Sequence, residues 1–152
     1  MITKSKAALL FTLCAGVALL GSCQFSLQLW VAPGSTAGNL TFGFAESRQR
    51  EEQVRPQSIQ VFPCESIKKR SGELTSETEA LWQAVVPPSV SAQPANRIVY
   101  GREEHGLRTT RGPAPLDAGC YAVLAYARDE RGRLRSAGLR FEVTKDGNVL
   151  EK

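Results

Sequence analysis

The sequence predicts an all-β domain, an antiparallel β-sandwich of about seven short strands. Three observations carry this. Beyond residue 23, apolar residues recur at alternate positions in short runs, the period of a half-buried strand. No stripe at helical spacing persists along the same stretch. Finally, 13 Gly and 8 Pro break the 152-residue chain at the intervals that turns between short strands require.

The composition, 42% hydrophobic and 22% charged, is that of an ordinary globular chain, and the length fits one domain. Collagen-like and coiled-coil architectures are excluded, and a wholly disordered chain is argued against. Only the first 22 residues hold a long apolar run, which excludes a polytopic membrane protein. Three segments are expected: a leader over 1–22, a sandwich over 23–145 and a polar tail over 146–152.

The leader begins with Lys4 and Lys6 and no acid, followed by an uncharged stretch of 14 residues, Ala7–Leu20. A basic start before a short apolar run is the pattern of a secretory signal. As a helix the run would span about 21 Å, short of the ~30 Å bilayer core, so an uncleaved single-pass anchor is the weaker alternative. Leu20-Gly21-Ser22-Cys23 resembles the lipobox of bacterial lipoproteins: a branched apolar residue, two small residues, then Cys. The resemblance implies a diacylglycerol thioether on the Cys23 sulfur, cleavage before Cys23 and an anchor in the membrane. Cys14 does not fit, because Leu13 before it is large. The competing reading is an ordinary secretory signal with an incidental Cys, although no A-x-A-like site lies nearby. Gln24, where an Asp would retain enteric-type lipoproteins at the inner membrane, implies the outer membrane, facing the periplasm.

Along the mature chain, Gln24–Leu29 alternates polar and apolar residues and reads as the first strand. Pro33-Gly34-Ser35 is a turn, and Leu40–Phe44 is the second strand. Glu46–Gln53 holds seven strongly polar residues in eight and reads as an exposed loop. Ser58–Phe62 is the third strand, ending at Pro63-Cys64. Glu65–Glu79 is a second polar loop. Ala80–Val86 is a fourth strand, stopped by Pro87-Pro88, and Ser89–Ala95 is a polar connection. Arg97–Gly101 is a short strand, Gly106–Thr109 a weaker one, and Pro113–Leu116 is extended. Cys120–Arg128 has apolar residues on both faces and is expected to be central. Asp129–Gly132 is a hairpin loop. Arg133–Thr144 is the last strand, with Leu139, Phe141 and Val143 inward and a bulge expected at Gly138. The tail, Lys145–Lys152, is expected to fray.

The entry to the central strand sharpens the architecture. Leu116-Asp117-Ala118-Gly119-Cys120-Tyr121-Ala122-Val123 resembles the tyrosine corner of immunoglobulin-like and fibronectin-type sandwiches, with Val123 where antibody domains carry Cys. The resemblance implies an immunoglobulin-like sandwich in which the Tyr121 hydroxyl bonds backbone. Transthyretin-like sandwiches share a similar turn, so the motif carries no function. The chain as a whole is similar to small uncharacterised envelope lipoproteins with the same ending, and that likeness names no activity either.

Cysteine counting points the same way. With Cys14 removed and Cys23 lipidated, Cys64 and Cys120 remain, 56 positions apart. A pair in an oxidising compartment reads as one disulfide, tying the end of the third strand to the start of the central one. Two separate buried thiols are the alternative.

Nineteen basic residues less Lys4 and Lys6 leave 17 against 15 acids, so no nucleic-acid partner is expected. A local excess stands out: Arg128, Arg131, Arg133, Arg135 and Arg140 are opposed within their segment only by Asp129 and Glu130. This basic hairpin is a candidate surface for anionic lipid or an acidic partner; otherwise it is a charged edge that resists aggregation. Trp30, on the face opposite Leu27 and Leu29, is either a surface contact or part of the core. Trp82, beside Ala84 and Val86, reads as core.

His105 is the only His, and it follows Glu103-Glu104. Catalysis would need a carboxylate to converge on it; a solvent-facing loop His is the plainer reading. No nucleophile elbow, zinc spacing or phosphate loop occurs, so no enzyme, cofactor or metal is expected. The expected function is a membrane-anchored, non-catalytic binding or structural module of the cell envelope with a protein partner there. The alternative is a small-ligand, carbohydrate or lipid carrier, which needs an aromatic-lined pocket.

Overall fold

The computed structural model describes residues 27–45, 54–66, 69–70, 73–74 and 80–152. Its strands are β1 (Gln28–Val31), β2 (Thr41–Ala45), β3 (Arg55–Pro63), β4 (Lys69–Arg70), β5 (Glu73–Leu74), β6 (Trp82–Val85), β7 (Arg97–Val99), β8 (Arg108–Arg111), β9 (Gly119–Arg128), β10 (Leu134–Val143) and β11 (Val149–Glu151). A 3-10 turn, Cys64–Ser66, follows β3. All pairings are antiparallel. One sheet runs β1-β2-β7 and the other β11-β10-β9-β3-β6-β8, while β4 and β5 pair only with each other. Setting β1, β2 and β7 against β3, β9 and β10 is the division that immunoglobulin-like sandwiches make between their A, B, E and C, F, G strands. Here β6 stands beside β3.

The alternation seen in the sequence explains the packing. Tyr121, Val123, Ala125 and Ala127 of β9 face inward and are buried. They lie opposite Phe141, Leu139, Ala137 and Arg135 of β10. Val61 and Ile59 of β3 flank the same row from the other side. The facing sheet contributes Leu29, Phe42, Phe44 and Ile98. Phe42 meets Phe141 edge-on across the sandwich, with ring centroids 5.7 Å apart, and Phe141 stacks on Tyr121 at 5.5 Å. Trp82 is fully buried, lies edge-on to Tyr100 at 5.1 Å and donates from Nε1 to the Thr109 hydroxyl at 3.4 Å. Each such side chain contributes about 1.5–3 kcal/mol by leaving water.

The two ends of the sandwich are held differently. At one, Cys64 and Cys120 form a disulfide with a Cα–Cα distance of 5.3 Å. Because β3 and β9 are neighbours in one sheet, the bridge lies within that sheet, unlike the antibody bridge between sheets. Beside it the Tyr121 hydroxyl donates to the Asp117 carbonyl at 2.7 Å, the bond of a tyrosine corner. The Tyr100 hydroxyl likewise donates to the Ala114 carbonyl at 2.7 Å. Burial raises the Tyr121 phenol, helped by the Asp117 charge, and pushes that of Tyr100 up to about 12. Both therefore stay protonated donors at neutral pH. At the opposite end, Leu27 enters β1 and Gln28 pairs with Ala45. There Val54 bridges Ala95, and Arg55 pairs with Arg128 at the start of the β9–β10 loop.

Several expectations are corrected. The C-terminal tail does not fray: β11 pairs with β10, Lys152 is ion-paired to Glu142, and Ala37 N–H donates to the Gly147 carbonyl at 2.9 Å, lacing the tail to the β1–β2 connection. No bulge occurs at Gly138, since β9 and β10 pair without interruption from Arg128↔Leu134 to Gly119↔Val143. The register shifts instead between Pro56 and Ser58, where proline has no N–H to give, and between Gln83 and Ala84. The weak strand begins at Arg108 and not Gly106, because Gly106 sits in a turn at φ +91°. β3 starts three residues earlier than expected, and β1 continues through Trp30 and Val31. The expected strand residues Gln24–Ser26, the loop Glu46–Gln53, most of Glu65–Glu79 and the leader lie outside the described residues.

The bridge closes a long loop, so its removal is expected to cost about 2–4 kcal/mol. Urea unfolding with and without reductant checks this; the reduced form or Cys64→Ser/Cys120→Ser should unfold at lower urea. Coincident curves would contradict it.

Candidate functional site

The β9–β10 loop is organised by one carboxylate. Asp129 continues the inward row of β9, and its side chain is 1% exposed. Its Oδ1 accepts from the backbone N–H of Arg131 at 2.9 Å and of Arg133 at 2.8 Å. Its Oδ2 accepts from Arg133 Nε at 2.8 Å and lies 3.5 Å from Arg135 Nε. The latter is an ion pair and too long for a hydrogen bond, so the buried Arg135 Nε has charge compensation without a directed acceptor. The backbone closes the same loop, Asp129 N–H donating to the Arg133 carbonyl at 3.0 Å and Gly132 N–H to the Asp129 carbonyl at 2.9 Å. Gly132 supplies the left-handed residue at φ +75°. Burial raises the Asp129 carboxyl, but the hydrogen bonds from the Arg133 backbone and guanidinium, with the Arg131 N–H, outweigh it and hold the group below the usual carboxylate range.

The predicted basic cluster therefore divides. Arg133 and Arg135 neutralise Asp129 inside the loop. Arg128 donates from Nη1 to the Gly132 carbonyl at 2.8 Å and keeps the rest of its guanidinium outward. Arg131 is exposed, and its side chain has no partner among the described residues. Arg140 is exposed on the outer face of β10, toward the middle of the sheet, opposite Ala122. The fold adds two cations that sequence reasoning missed. Arg55 pairs across from Arg128, and Arg97, the first residue of β7, pairs with Gly43 of β2. Both are exposed. Their strands start far from residue 128 in sequence, and only antiparallel pairing brings them to one end.

Trp30 lies on the outer face of the smaller sheet, in one cross-strand row with Gly43 and Arg97, and it is half-buried. Its register partner is Gly43, and a Cβ built on Gly43 would fall 2.2 Å from the ring Cε2. The indole thus lies flat across the glycine, covering backbone that no side chain shields. The residue is a sheet-covering contact, neither core nor bare surface.

Cys23 lies outside the described residues. Cys64 and Cys120 sit at the other end of the sandwich from the arginines. Glu103 and Glu104 are turn ligands. Glu103 accepts from Thr109 N–H at 2.9 Å and pairs with Arg108 at 3.2 Å; the Thr109 bond first, with Arg108, outweighs desolvation and lowers its pKa. Glu104 accepts from Val99 N–H at 2.8 Å. His105 adopts φ 56° in the turn, and its carbonyl accepts from Gln93 N–H at 3.0 Å. Neither carboxylate meets the imidazole among the described residues. Nor do any three His, Cys, Asp or Glu side chains converge there as a metal site, and no helix there is long and apolar enough to cross a membrane. What the basic end offers chemically is exposed guanidinium for oxyanions, phosphate or carboxylate.

Comparison of the chain with protein-family models, with curated proteins and with solved structures finds no match in any of the three.

A folded pKa below the unfolded value gives stability that is present above about pH 4 and is lost as pH falls through the folded pKa. Asp129→Asn is therefore expected to be less stable than wild type at about pH 7 and to converge on it as the pH falls through the folded pKa of Asp129. Urea midpoints across that range test this; parallel curves would contradict the ionised Asp129 closure. At the smaller sheet, Gly43→Ala must displace the Trp30 indole, at a cost of about 1–3 kcal/mol. Iodide quenching of tryptophan emission should rise in the variant, because Trp82 is buried and only Trp30 can become accessible; unchanged quenching would contradict the contact.

Proposed function

We propose that the chain is a lipid-anchored module of a bacterial cell envelope, held by Cys23 in the outer membrane facing the periplasm, that acts by binding rather than by catalysis. The observation that carries this reading is Leu20-Gly21-Ser22-Cys23 placed directly after a basic start and a 14-residue uncharged run. The Cys64–Cys120 bridge supports it, because such bridges persist in oxidising compartments. Two or three acyl chains on Cys23 would hold the protein stably, at about 0.8 kcal/mol per buried CH₂. The middle of the sandwich is filled by Phe42, Phe141, Trp82 and Tyr100, which favours recognition on the outer faces and ends over cargo held inside. A protein of the envelope is the partner class in this reading, and the arginine end is its candidate surface.

The deciding experiment is Cys23→Ser in the producing cell. The wild-type protein is expected in the membrane fraction and to incorporate labelled palmitate; the variant should incorporate none and lose its membrane association. Association retained without label would favour an uncleaved apolar anchor.

A further inference from the structure

We infer that the end of the sandwich carrying the β9–β10 loop rests on anionic phospholipid headgroups, with Arg55, Arg97, Arg128 and Arg131 turned to the lipid phosphates. The inference builds on the Cys23 anchor proposed above.

The first support is covalent reach. Cys23 precedes Leu27 by four residues, which span at most about 14 Å in any conformation. Leu27 opens β1 at the end where Gln28 pairs with Ala45, Val54 meets Ala95 and Arg55 meets Arg128. The β9–β10 loop caps this same end, because Leu134 pairs with Arg128. A lipid on Cys23 therefore places this end, and not the disulfide end, against the bilayer.

The second support is charge. Arg55, Arg97, Arg128, Arg131, Arg133 and Arg135 gather there against Asp129 and Glu130. The connection 46–53, which joins the same end, adds Arg48 and Arg50 against Glu46, Glu51 and Glu52, and the excess stays positive. The disulfide end has no such excess: Glu65, Asp117 and Asp146 stand against Lys145 and Arg111, and the loop over 67–79 carries three cations and three acids. Charges act across only about 8 Å at physiological ionic strength, so the short tether decides which end can feel the membrane. Each Arg brought close to an anionic surface strengthens association roughly fivefold. The side chains of Arg55, Arg97 and Arg131 are exposed and without partners among the described residues.

The test uses the full-length lipidated protein, reconstituted into vesicles of phosphatidylcholine alone or with about three-tenths phosphatidylglycerol. Hydrogen exchange is followed in the loop 128–134 and, as internal control, in the turn 144–148. Exchange in the loop is expected to slow several-fold on the anionic vesicles only, with the control turn unchanged. In the triple variant R55Q/R97Q/R131Q, which should float and melt as wild type does, most of the difference should vanish. Equal exchange on both vesicle types, with the protein floating on both, overturns the orientation and leaves the anchor standing. Failure to float on either overturns the anchor and the orientation with it. Protection in native membranes but not on anionic vesicles also overturns the inference and assigns this end to a protein partner.

Discussion

The structure depends on strand β9 being held in one register. It lies between β10 and β3, buries Tyr121, Val123, Ala125 and Ala127 on one face, and presents Leu124, Tyr126 and Arg128 on the other. A slip of one residue would turn the buried row to solvent and drive Arg128 inward. Both ends of the strand are fixed against it. At the start, Cys120 is tied to Cys64 and the Tyr121 hydroxyl to the Asp117 carbonyl. At the finish, Asp129 collects two backbone N–H groups and a guanidinium. The flanking strands inherit their register from this one, and through Phe141 against Phe42 so does the packing of the facing sheet.

Where burial makes a strand, the sequence announces it; where backbone pairing makes it, the sequence is nearly silent. The alternation of β9 and β10 is legible because every second side chain enters the core. β8 (Arg-Thr-Thr-Arg) and β11 (Val-Leu-Glu) have no buried row; each exists because β6 or β10 offers an edge of free N–H and C=O groups. Glycine misled in a similar way. A glycine within a strand reads as a bulge, yet Gly138 sits in unbroken pairing, and the glycine with a steric reason is Gly43, under the Trp30 ring. That reason belongs to the neighbouring strand and cannot be read locally. The disulfide was legible from counting, because the reading that gives Cys14 to the leader and Cys23 to the lipid leaves one pair.

The arginine cluster shows a further limit. Five arginines in one segment look equivalent in sequence, but the fold assigns them unequal work. An Asp placed in the inward row is costly unless it is surrounded by donors, and Arg133 and Arg135 are consumed in meeting that requirement. The positions left for recognition are Arg131 and the outward part of Arg128, joined by Arg55 and Arg97 from distant strands. Charge density along the chain thus overstates the guanidinium left exposed at this end, since Arg133 and Arg135 serve to close the loop around Asp129.

The two closures differ in kind, and the difference suits the orientation proposed for them. The disulfide end is fixed by a covalent bond and by phenols that stay protonated at neutral pH, so its integrity is insensitive to local proton activity. The arginine end is closed by an ionised carboxylate. An anionic leaflet at about −30 mV draws protons and lowers the pH at its surface by about half a unit. A carboxyl with an ordinary pKa, set in a protein interior without donors, would move toward its neutral form there and release the loop. Asp129 is held in the opposite direction by the Arg133 bonds, so the loop stays closed in the layer where its free arginines would meet phosphate. The same guanidinium that stabilises the turn also keeps the Asp129 carboxylate ionised, which ties the fold of this end to the orientation proposed for it.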